Sequence, residues 1–77
     1  MKVYDVVKTV WRDEKPIRTS SMRFKTMSEA NEQFESHLQS FIQLGDSPEI
    51  VDASNFRVVF GDLKKTTQTV KIQSRWV

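Results

Sequence analysis

The chain has no cysteine, one histidine, two glycines and two prolines in 77 residues. Without cysteine there is no disulfide to staple the fold and no thiolate to hold a metal; a reducing, cytoplasmic location is the expectation. Gly45 and Gly61 each read as a turn glycine, which leaves none for a phosphate-cradling loop or a dinucleotide fingerprint. No apolar run approaches the roughly 20 residues that span a bilayer. Lys2, Asp5 and Lys8 interrupt the first residues, so no signal peptide is expected there, and no membrane partner.

A further absence is local. Residues 28–52 contain six acidic side chains and no Lys or Arg, whereas residues 1–27 carry seven basic against three acidic and residues 53–77 five basic against one. The three blocks stand at +4, −6 and +4, within a net charge of +2. With 38% hydrophobic residues and 29% charged, the chain can fold as one small domain over residues 1–77, with a core limited by its length.

The acidic block predicts a helix. Ala30, Phe34, Leu38, Phe41 and Ile42 fall on one stripe of a 3.6-residue period. Thr26 and Glu29 fit a capping box, with Ser28 as the rival cap, and Gly45 followed by Pro48 marks the end, giving a helix over about 27–44. The basic blocks predict strands. Residues 2–11 are rich in β-branched and aromatic side chains, with apolar groups on both faces. Residues 17–25 form a second strand, joined to the first by a charged loop of about four or five residues around Arg12–Pro16. Phe56–Phe60 and 66–76 form two more strands, separated by a turn at Gly61–Lys65. Val70, Ile72 and Trp76 are expected inward, as are Met22 and Phe24. Asp46–Asn55 reads as irregular, with Ile50 and Val51 tucked under the sheet. The expected fold is therefore α+β, ββαββ: a four-stranded, mainly antiparallel sheet with one helix on one face. Its core would hold Phe24, Phe34, Leu38, Phe41, Val58, Phe60, Val70 and Ile72.

The chemistry of catalysis is thin. His37 has no His, Asp or Glu at helical spacing for a metal pair, and Ser36 and Ser40 do not form a nucleophile–base–orienter arrangement with it. Glu29, Glu32 and Glu35 repeat along one helix edge, which suits a solvated face near the positive end of the dipole. The expectation is no enzyme activity, no cofactor and no metal.

The side of the sheet away from the helix carries the functional expectation. If Val3, Val7 and Trp11 face the helix, then Tyr4 and Lys8 join Arg23, Lys25, Arg57, Lys71 and Arg75 on an open face, with the acidic helix behind. Val6, Val10, Val59 and Val77 would add an apolar patch to it. Such a face or its edge suits protein association, a homodimer included. The alternative is nucleic-acid binding, in which the cations neutralise phosphates and Tyr4 stacks a base. The stretch Phe24-Lys25-Thr26-Met27-Ser28-Glu29-Ala30, a hairpin leading into a helix, resembles the junction in arm-type DNA-binding domains of tyrosine recombinases, over roughly residues 2–43. Those domains place three strands before the helix where this chain has two, and no functional residue is carried over.

Overall fold

A computed structural model describes residues 1–60 and 66–77. Among them the chain forms five strands and one helix: β1 (Lys2–Arg12), β2 (Lys15–Phe24), α1 (Met27–Gln43), β3 (Glu49–Asp52), β4 (Asn55–Phe60) and β5 (Thr66–Trp76). The strands make one antiparallel sheet in the order β2-β1-β5-β4-β3. The class is α+β as expected, with five strands rather than four. The turn expected at Gly61–Lys65 and the side chain of Phe60 lie outside the described residues.

The additional strand is β3. Asp52 closes its hairpin with β4 by accepting from the Ser54 amide (2.8 Å) and hydroxyl (3.2 Å), an Asx turn that substitutes for glycine. Ile50 stands opposite Phe56 on β4. Ile50 and Val51 are both more than half exposed and tuck under nothing. A four-residue edge strand without alternating polarity leaves little trace in a sequence.

The β1–β2 connection is also tighter than expected. Arg12 pairs with Lys15, so Asp13 and Glu14 alone make the turn, both with positive φ (51° and 66°), as a two-residue type I′ hairpin requires. Neither residue is the glycine or asparagine that usually signals this turn. Pro16 sits in β2, an edge strand, where its missing N–H is tolerated.

The helix follows its signals closely. Thr26 Oγ1 accepts from the Glu29 amide (3.3 Å) and donates to the Glu29 carboxylate (3.1 Å). At the other end Gly45 adopts φ 88°. Its amide donates to the Ile42 carbonyl and that of Asp46 to the Phe41 carbonyl, each at 3.0 Å, a Schellman closure.

Packing is centred on β4. Phe34 and Phe41, one long helical step apart, present their rings edge-on to Phe56, with centroids 5.1 and 5.9 Å away. Phe56 is fully buried, and Ala30, Val6, Val58 and Val70 complete the cluster, bordered by Tyr4, Phe24, Leu38 and Ile72. Ile42 ends the helical stripe but is 48% exposed, and the inward-reading Met22 and Trp76 are 51% and 76% exposed. One helix does not reach the corners of a sheet whose strands run to 11 residues.

The facing of β1 is reversed from expectation. Directly opposed residues share a face, and Val6 lies opposite both Met22 and Ile72, and Lys8 opposite Val70. Because β5 buries Val70 and Ile72 under the helix, the even residues of β1 follow. Val3, Val7 and Trp11 lie on the open face instead. Two-sided apolar character let either choice fit the sequence.

Removing the ring of Phe34 should cost about 3–5 kcal/mol, whereas Ile42→Ala should change stability by no more than about 0.5 kcal/mol. Urea denaturation of both variants checks this. Equal effects would contradict the packing.

Candidate binding surface

The open face is built from the odd residues of β1 and the residues opposite them. Asp5 lies at its centre, buried, between Arg23 on β2 and Arg75 on β5. Arg23 donates through Nε to Oδ1 (2.9 Å) and through its terminal nitrogen to Oδ2 (3.4 Å), and Arg75 Nε approaches Oδ2 at 3.7 Å. The hydrogen bond from Arg23 holds the Asp5 carboxyl below its ordinary value of 3.8, against the opposing effect of burial, with the charges of both arginines assisting. Further along, Trp11 donates its indole N–H to Thr69 Oγ1 (2.9 Å). Arg57 on β4 donates to Glu49 directly across on β3 (2.7 Å) and lowers that carboxyl too.

This placement separates the seven residues expected to act together. Arg23, Arg57, Lys71 and Arg75 share the open face, but three of them are engaged with Asp5 or Glu49. Lys71 is exposed, without an ion-pair partner among the described residues. Lys25 is exposed between β2 and the helix cap. Tyr4 and Lys8 lie on the helix side. Lys2 stands 5.8 Å from the ring centroids of both Tyr4 and Trp76 there, as a cation over two aromatic faces. The apolar patch is not assembled either, since Val6 and Val10 turn toward the helix side and leave Val59 exposed on the open one. Cations thus occupy both faces, not one wall opposed to an anionic one.

Arg18, Ser20 and Gln68, which sequence reading passed over, join Lys8 and Val10 on the helix side, past the end of the helix cover. Lys8 and Val10 of β1, Arg18 and Ser20 of β2 and Gln68 of β5 line a depression of about 310 Å³. His37 on α1 is half-buried beside it, with Gln33 Nε2 3.2 Å from its Nε2. Burial pushes the His37 imidazole below its usual range and the Lys8 charge pushes it further. A second concavity of about 670 Å³ is lined by Met27, Ser28, Asn31, Glu32 and Glu35, all on one outward helix surface, and joins no groups from different elements.

Among the described residues, β2 pairs in the sheet with β1 alone. Nine of its ten residues are exposed, Ile17 and Met22 among them. Its outer backbone N–H and C=O groups are unpaired by the sheet. Among the described residues no cluster of three metal-ligating side chains occurs, and no helix is long and apolar enough to cross a membrane. The chain matches no family model, no curated protein and no solved structure.

Two titrations test these placements. Asp5 has a lowered folded pKa, so its contribution to stability is present above its ordinary value of 3.8 and disappears as pH falls through the folded value. Asp5→Asn should therefore be less stable than the parent at neutral pH, and the gap should close in acid. Denaturant midpoints across that range would show it; a pH-independent gap would contradict the ion pairs. Lys8→Met should raise the His37 pKa, leaving it below 6.5 because burial persists. Imidazole proton shifts report it, and an unchanged titration would separate Lys8 from His37.

Proposed function

We propose that the protein is a non-catalytic binding and assembly module that acts through the edge of its sheet, pairing β2 with β2 of a second copy. The observation that carries this reading is the ten-residue exposed edge, with Ile17 and Met22 uncovered on it. An edge of that length is ordinarily covered, shortened or charged against pairing. Pro16 and the register shift beside Trp11 protect the turn end of β2; Arg18 and Arg23 charge the rest, but in the pairing below they do not stand opposite one another. From Arg18 to Phe24 the ladder to β1 is regular and the outer side is free to pair.

The segment is self-complementary. An antiparallel pair centred on Ser20 sets each copy's Met22 opposite the other's Arg18, where an aliphatic stem can cover the thioether, and opposes no like charges between Arg18 and Met22. Continuing the sheet from five strands to ten also extends the core that a 77-residue chain can bury. Nucleic-acid binding across the open face has less to support it, because Asp5 and Glu49 occupy Arg23, Arg75 and Arg57.

Sedimentation equilibrium should show association rising with protein concentration. The outward amides of β2 should gain protection from hydrogen exchange in parallel. Met22→Lys opposes a new ammonium to Arg18 twice per dimer and should shift the protein to monomer without loss of fold. A chain that stays monomeric at every concentration, with unprotected β2 amides, would refute the proposal.

A further inference from the structure

The depression beside the helix has a composition that the pairing of β2 does not require. Its floor spans three adjacent strands at about 4.8 Å spacing. Gln68 and Arg18 both oppose Val10, on its two sides, and Ser20 opposes Lys8. These side chains therefore gather on one patch of one face. Arg18 and Lys8 are cations, and Ser20 and Gln68 offer a hydroxyl and an amide. None of the five lining residues is acidic. The asymmetry extends over the whole helix side of these strands. The even residues of β1, those opposite them on β2, and Gln68, Val70, Ile72 and Ser74 of β5 include no carboxylate. The acidic partners Asp5 and Glu49 are both on the other face, so nothing neutralises Lys8 and Arg18 from within the sheet.

Gln68 supplies an independent observation. It is 7% exposed, on the buried face of a central strand, opposite Val10 and Val58. A buried primary amide ordinarily has partners, because leaving it without them is destabilising. The Gln68 side chain takes part in none of the hydrogen bonds of the described residues, yet none of its polar atoms is sealed away without a partner. Its polar atoms are thus accessible, and Gln68 lines the depression. A polar side chain at this inward position, between Val10 and Val58, is suited to bond a group that enters the depression.

We infer that this depression is a binding site for a phosphate group, held by Lys8, Arg18, Ser20 and Gln68. Arg18 provides the planar fork that matches two phosphate oxygens, and Lys8 a compact charge. Ser20 and the Gln68 amide donate to the remaining oxygens. Val10 forms the apolar floor. The site is complete within one copy, so it does not depend on the pairing of β2.

The experiment is a two-dimensional amide NMR titration of the protein with inorganic phosphate, and separately with ribose 5-phosphate, at constant ionic strength against chloride. Saturable shifts of the Gln68 side-chain amide and the backbone of Lys8, Arg18 and Ser20 are expected with phosphate and not with chloride. Tighter binding of the ester identifies a phosphorylated small molecule as the ligand, and tighter binding of the free anion identifies phosphate itself; either supports the site. Arg18→Met should weaken binding by about tenfold or more, the loss expected for a charge-assisted hydrogen bond. Gln68→Leu should weaken it while keeping a cooperative melt, and Ser20→Ala serves should that variant fail to fold. Shifts that do not saturate, that match those of chloride, or that spread equally over Arg12, Lys15 and Arg23 would overturn the inference.

Discussion

The contact of Phe34 and Phe41 with Phe56 organises the molecule. These two helical rings meet a single ring on β4, and that meeting decides which side of the sheet is inside. Once β4 turns Phe56 and Val58 inward, the opposing residues of β5 follow, then those of β1, then those of β2. Each pairing transmits the same facing to the next strand, because direct neighbours in an antiparallel ladder share a face. The orientation of residues as distant as Ser20 is thereby set by an aromatic cluster three strands away.

The same transmission explains the distribution of charge. On the outer face Asp5 lies between two arginines from the flanking strands, so the carboxylate is stripped of water on its strand yet fully satisfied. On the helix side the cations have no such counterweight. The chain therefore pairs three arginines with carboxylates on the outer face of its sheet and leaves Lys8 and Arg18 without a sheet carboxylate on the other. Their separation follows strand parity, not the block pattern along the sequence.

Much of the architecture was legible in the residues. The helix from Thr26 to Gly45, the inward set Phe56, Val58, Val70 and Ile72, and the α+β class follow from spacing and from local capping chemistry. What stayed hidden has identifiable causes. β1 has valines on both of its faces, so hydrophobicity could not choose between them, and the choice moved Tyr4 and Lys8 to the side opposite the one expected. β3 is too short to show alternation. The Asp13–Glu14 turn lacks its usual glycine. Gln68 shares the parity of Val70 and Ile72, and that polar interruption of an inward row was the one trace of the depression available in the sequence.

The central position of β1 bears on how the protein is made. Its two neighbours are β2, which follows within a few residues, and β5, whose Arg75 lies opposite Val3. During synthesis the hairpin and helix can form early, but β1 keeps a vacant edge until β5 has left the ribosome. Such distant closure slows folding and exposes sticky intermediates. The nascent chain therefore presents both borders of the β1–β2 hairpin until the eleven residues of β5 are made and cover the inner one.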